Sequence, residues 1–209
     1  MAALSSRSLA EVQRRVAAVH HQSDLQQQLR FYNGWAEDYD QGLLEDALVL
    51  DVACGTGLVA QELQAKGFRH IHGLDGSQGM LEHAQHKGLY EDLKLCLLGQ
   101  EALPAPEGCY DATVIVGALS EGQVPSGVIP QLLLVTKPGG YVCLTTRNNL
   151  SNLRYKTELQ QLLNELEQRG LWEKVGMQEV EKWERATSEQ ESGQDSDYIS
   201  GVVYIYRKK

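Results

Sequence analysis

The stretch from Ala47 to Leu63 carries an acid, a set of small residues and a helix start in an order that can hold a nucleotide-like ligand. Ala47-Leu-Val-Leu-Asp51-Val is apolar and of strand length, Ala53-Cys-Gly55-Thr-Gly57 is a small-residue turn, and the residues from Leu58 are apolar at helical spacing. The turn is therefore expected at the carboxyl end of a strand, where open α/β sheets bind ligands. Gly55 and Gly57 allow bare backbone to approach a ligand, and the helix start offers unpaired N–H groups beside it. The dinucleotide fingerprint, G-x-G-x-x-G/A with an acid about 20 residues on, is met loosely by Gly55, Gly57, Ala60 and Asp75. Asp51 shifts the balance: it would repel a pyrophosphate at the turn, whereas a ligand with an α-ammonium would pair with it.

The pattern Asp51-x-Ala53-x-Gly55-x-Gly57 resembles the first motif of the class I S-adenosylmethionine-dependent methyltransferases, with Ala53 where many members carry the first glycine. Further motifs follow in register. His70-Ile-His-Gly-Leu-Asp75-Gly76-Ser77-Gln-Gly-Met80-Leu81 is similar to the family's second strand and the helix start after it. The run from Leu103 to Leu119 resembles its loop and fourth strand, and Lys137-Pro138-Gly139-Gly140 with the residues to Thr145 its fifth. The match covers Phe31 to Thr146 well and the rest loosely. It implies an α/β fold with a Rossmann-like seven-stranded sheet, mostly parallel with an antiparallel last strand, and helices on both faces.

The resemblance also assigns roles. Asp75 would accept from both ribose hydroxyls of S-adenosylmethionine, with Gly76 and Ser77 next to it and Met80 near the adenine. Gly117 and Leu119, at the end of the fourth strand, would touch the cofactor. Many members carry an acid after the third strand for the adenine amino group; that position falls at Gly99, so Gln100, Glu101 or a backbone carbonyl would have to serve. Phe31 to Asp40 resembles an aromatic Tyr-Asp segment that folds over the cofactor, placing Tyr39 against it and Trp35 on the substrate side. Gln41 to Leu48 is short compared with relatives, which usually carry a further helix there, so the chain looks internally shortened before its first strand.

The chain has 209 residues, 42% of them apolar and 22% charged, enough for one α/β domain over 1–209. Within it, 1–46 reads as N-terminal helices and lid, 47–120 as the cofactor half and 121–209 as the substrate half. Ser8 to Glu11 and Ser23 to Gln26 fit capping boxes of two helices, a better reading of the Ser- and Arg-containing start than a transit peptide. Leu153 to Gly170 reads as a helix with Leu159, Leu162, Leu163 and Leu166 on one face. Val175 to Trp183 and Ile199 to Tyr206 alternate as strands, separated by an acidic, apolar-poor loop from Glu184 to Asp197.

Thr146-Arg147-Asn148-Asn149 leaves the fifth strand at the edge from which acceptors approach, so Arg147 could hold an anionic group with Asn148 beside it. A net charge of −9 argues against nucleic acid, and no apolar run is long enough to span a bilayer. Cys54, Cys96, Cys109 and Cys143 lack metal spacing and read as reduced thiols of a cytoplasmic or nuclear protein, expected to be a monomer. His20, His21, His70, His72, His83 and His86 form no metal pair and supply no evident base, so the catalytic residues, if any, stay unassigned. Gly117-Ala-Leu-Ser120 stands where amino-base and glutamine methylating enzymes carry Asn/Asp-Pro-Pro-Tyr/Phe, and no Pro-Cys nucleophile occurs. A small-molecule or protein methyl acceptor remains, with S-adenosylhomocysteine as the other product. The alternatives are a catalytically silent interaction protein of the same fold and an NAD-linked oxidoreductase.

Overall fold

The computed structural model describes residues 46–185 and 198–209. The elements in chain order are β1 (Leu48–Val52), α1 (Leu58–Ala65), β2 (His70–Asp75), α2 (Gln78–His86), β3 (Asp92–Leu95), β4 (Tyr110–Leu119), α3 (Ile129–Val135), β5 (Thr136–Arg147), α4 (Leu153–Gln168), β6 (Trp172–Arg185) and β7 (Tyr198–Lys208). Single 3₁₀ turns lead into α3 and α4. The seven strands form one sheet in the order β3-β2-β1-β4-β5-β7-β6. β1 to β5 are mutually parallel, and β7 runs antiparallel to both β5 and β6. The order reverses between β1 and β4, and the crevice beyond the carboxyl ends of those strands is where such sheets take ligands.

Both sheet faces are covered, which is why the central strands read as continuous apolar runs rather than alternating ones. On one face Val49, Ile71, Val114, Cys143 and Val203 pack with Ala60 and Leu63 of α1 and with Phe68. On the other, Leu50, Val52, Leu74, Ile115 and Leu144 pack with Ile129 and Leu132 of α3 and Leu159 and Leu163 of α4. α4 ends two residues before the expected Gly170, whose φ of +70° suits a helix stop.

β6 begins earlier than the alternation suggests. Trp172 is fully buried, stacks on Tyr206 with ring centroids 4.2 Å apart, and donates its indole N–H to the Leu163 carbonyl. Register shifts between Lys174 and Gly176 and between Val180 and Glu184 interrupt the two-residue period, so the sequence shows only the middle of the strand. β6 also extends to Arg185, into the segment read as a loop. The N-terminal helices, Trp35, Tyr39, the short connection before Asp46 and the loop residues 186–197 lie outside the described residues.

Tyr206 is fully buried, and its hydroxyl has no hydrogen-bond partner among the described residues. Tyr206→Phe keeps the stack and removes an unsatisfied polar atom, so it should raise stability by about 0.5 to 1 kcal/mol. A urea midpoint that falls on this substitution would mean the hydroxyl has a partner after all.

Candidate active site

The turn after β1 takes three left-handed steps: φ is +57° at Ala53, +54° at Gly55 and +84° at Gly57. It is pinned by Cys54 N–H to the Leu74 carbonyl and Gly57 N–H to the Cys54 carbonyl, each 2.9 Å. Ala53 is the one non-glycine residue with positive φ among the described residues. A Cβ there costs about 1 to 2 kcal/mol, against about 0.5 to 1 for the extra unfolded-state freedom of glycine. Ala53→Gly should therefore stabilise the protein by about 0.5 kcal/mol, read from its urea midpoint; a loss would show that the Ala53 methyl makes packing contacts worth more than its strain.

Asp75 ends β2, directly beside this turn. Its Oδ2 accepts from the Gly55 N–H and its Oδ1 from the Ser77 N–H, both at 2.8 Å. Each carboxylate oxygen keeps a free lone pair, so the group is oriented without being used up. Ser77 caps α2 by accepting from the Met80 N–H. Met80 is 41% exposed and Leu97 45% exposed, and a Cβ on Gly76 would stand 3.6 Å from Leu97 Cδ2. Apolar surface thus lies next to the oriented carboxylate. Leu97 was not singled out by the sequence, where it is one more leucine after a short strand.

Gly99, with φ +80°, sits under Pro125: an added Cβ would come within 2.3 Å of the proline Cγ. The connection after β3 is therefore clamped by the connection after β4. Gln100 and Glu101 are exposed, and Glu101 Oε2 turns back toward its own loop, 3.5 Å from the Leu97 nitrogen.

Asp51 does not face open space. It is 1% exposed, and Tyr90 donates to its Oδ2 at 2.7 Å. Burial pushes its carboxyl up to about 7, with the Tyr90 hydrogen bond pulling down and the Asp75 charge pushing up. The expectation of direct pairing with a ligand ammonium is corrected: the acid lies beneath the turn and closes against a tyrosine.

Three further expectations change beyond β4. Leu119 is 1% exposed in the core, so its side chain is not presented to a cofactor, and its carbonyl accepts from the Thr146 hydroxyl. Arg147 is paired with Glu184 across β7, both side chains about one-fifth exposed, which commits its guanidinium to the sheet rather than to a substrate. Asn148 accepts from the Lys156 ammonium through Oδ1, and its backbone is tied to Ser200 in both directions. Gly117 is exposed at φ +72°, its N–H held by Thr145 Oγ1 at 2.9 Å.

The residue that organises this edge is Asn152, which sequence reasoning passed over. It is 2% exposed, its Oδ1 accepts from the Glu121 N–H, and its amide donates to Thr146 Oγ1 and the Arg147 carbonyl. The loop it anchors borders a cavity of about 230 Å³ lined by Ser120, Glu121, Pro125, Arg154 and Tyr155. Among the described residues no group of three or more His, Cys, Asp or Glu could hold a metal ion.

Comparison with known proteins decides the family. The profile described as Methyltransferase domain matches residues 49–140, which include the glycine turn and Asp75. Methyltransferase-like protein 27 of Homo sapiens is 56% identical over 188 residues, covering 79% of this chain and 76% of that protein. This chain belongs to the S-adenosylmethionine-dependent methyltransferase family. Membership sets aside the NAD-linked oxidoreductase. Ubiquinone biosynthesis O-methyltransferase of Bordetella bronchiseptica is 29% identical over 121 residues, 55% of this chain and 48% of that one. In fold, this methyltransferase is like the S-adenosylmethionine-dependent methyltransferase from Mesorhizobium loti, with TM-score 0.57 at 18% identity over 78% of this chain and 91% of that one. It is also like the [4+2]-cyclase SpnF, with TM-score 0.56 at 20% identity over 80% and 79%.

Proposed function

We propose that this protein binds S-adenosylmethionine across the glycine turn and Asp75 and transfers its methyl group to a small-molecule or protein acceptor. The observation that carries the reading is the Asp75 carboxylate, fixed by N–H groups from the turn and from Ser77 with a lone pair spare on each oxygen. A pair of neighbouring hydroxyls is the chemistry such a group accepts from. Asp75 would hold the ribose, Gly76 and Ser77 would border it, and Met80 with Leu97 would lie against the adenine. The free N–H groups at the start of α1 are available to the carboxylate of the methionine part. Gln100, Glu101 or the Gly99 carbonyl would meet the adenine amino group, and Tyr39 and Trp35 would complete the cover.

When bound, the cofactor supplies a sulfonium-activated methyl group for in-line displacement. The protein then has to orient an acceptor and exclude water, and no general base is required of it. The exposed Gly117 and the cavity behind Ser120 and Glu121 are the acceptor side in this reading. The second reading is a catalytically silent or cofactor-impaired interaction protein of the same fold, since one fold can serve more than one function. We also read the chain as one domain and a monomer of the cytoplasm or nucleus, consistent with four free cysteines. No helix among the described residues is long and apolar enough to cross a membrane.

A screen of amine, thiol, hydroxyl and peptide acceptors with methyl-labelled cofactor tests the transfer. Label in any acceptor supports it. Binding of S-adenosylhomocysteine with no label in any class, and none from cell extract, points to the silent reading.

A further inference from the structure

Gly73 stands inside β2, where glycine weakens a strand unless something approaches its backbone closely. What approaches is a pair of side chains, Leu93 and Tyr90. A Cβ on Gly73 would stand 2.6 Å from Leu93 Cδ2 and 2.9 Å from Tyr90 Cε1, and a Cβ on Gly57 would stand 2.9 Å from Tyr90 Cε2. The ring is thus seated between the middle of β2 and the last glycine of the cofactor turn, and its hydroxyl reaches Asp51 in β1 at 2.7 Å. One side chain, from the residue pair before β3, thus touches β1, β2 and the last glycine of the turn.

We propose that Tyr90 is a positioning residue for the cofactor: its ring props Gly57, and its hydroxyl, through Asp51, sets how tightly the turn holds the amino-acid end of S-adenosylmethionine. The proposal rests on cofactor binding at the turn. An ionised Asp51 beneath the turn favours an α-ammonium above it, and the phenol hydrogen bond favours the ionised form against burial. The other titratable groups facing Asp51 among the described residues are Asp75, whose charge opposes ionisation, and Cys54, whose thiol burial pushes up so that it stays neutral. Without the hydroxyl, Asp51 should lose its proton only at higher pH.

The test is calorimetric titration of the full chain with S-adenosylhomocysteine and with 5′-methylthioadenosine, which lacks the amino-acid part, between pH 6 and 8.5. In the wild type, affinity for S-adenosylhomocysteine should weaken as pH falls through about 7, while that for methylthioadenosine stays level. In Tyr90→Phe the midpoint should rise by about one to two pH units, roughly a tenfold loss near neutrality for the first ligand alone. Asp51→Asn should abolish the midpoint. An unchanged midpoint and affinity in Tyr90→Phe, or equal losses for both ligands, would overturn the proposal. If Tyr90→Phe fails to fold, a midpoint that survives in Asp51→Asn overturns it instead. A wild type that binds neither ligand would overturn the cofactor reading as well, which separates the two failures.

Discussion

Asp75→Ala should lower affinity for S-adenosylhomocysteine by about 10²-fold or more while leaving the fold in place. Two charge-assisted hydrogen bonds are removed, each contributing about 1.5 to 3 kcal/mol, and each 1.4 kcal/mol is a factor of ten. The substitution also releases the Gly55 and Ser77 N–H groups, so the turn loses its tether to β2 and must be ordered by the ligand. Both losses act in the same direction on binding. Asp75→Asn keeps one carbonyl acceptor for the turn and should fall between the two. Calorimetry on a variant with native circular dichroism checks this; wild-type affinity in that variant would show that the carboxylate does not hold the ribose.

Asp51→Asn should separate stability from binding. In the unfolded chain the Asp51 carboxyl ionises near 3.8, and in the folded protein only near 7. Between those values the unfolded state has given up a proton that the folded state retains, so this group's contribution is favourable below the window and is lost as pH rises through it. The slope is at most about 1.4 kcal/mol per pH unit, a few kcal/mol over the window. Asparagine does not ionise, but it leaves a buried amide donor that costs about 1 to 3 kcal/mol if unpaired. The variant should therefore be no more stable than wild type at pH 5 and more stable by about 1 to 2 kcal/mol at pH 8. Urea unfolding at the two pH values checks it, and an identical difference at both would mean that Asp51 is ionised throughout. The same variant should bind S-adenosylhomocysteine more weakly than methylthioadenosine relative to wild type, a gain in stability at the expense of function.

What the sequence made legible is local in the chain. The small-residue turn, the acid ending the next strand and the buried stripe of α4 each depend on residues within a few positions of one another, and each stands where the periodicity puts it. What it concealed arrives from far away. Tyr90 reaches Asp51 across 39 positions, and Glu184 reaches Arg147 across 37, so an acid and an arginine that look available in sequence are already paired in space. Leu119 turned inward because the strand alternation near the β4 bulge cannot be phased from sequence; its pairing with β5 shifts register between Ile115 and Leu119. Asn152 reads as a polar residue before a helix, and only the fold shows that its amide ties the connection after β4 to the end of β5. Gly73 carried a usable signal: a glycine inside an otherwise apolar strand marks a close neighbour, here the Leu93 side chain and the Tyr90 ring.

The most direct test of the cofactor site is calorimetric titration of the wild-type chain with S-adenosylhomocysteine, with NAD as the comparison ligand. The oriented Asp75, the left-handed turn and the neighbouring apolar surface predict one-site binding of S-adenosylhomocysteine and no heat from NAD. Absence of binding to S-adenosylhomocysteine by the folded chain, or binding of NAD in its place, would contradict it.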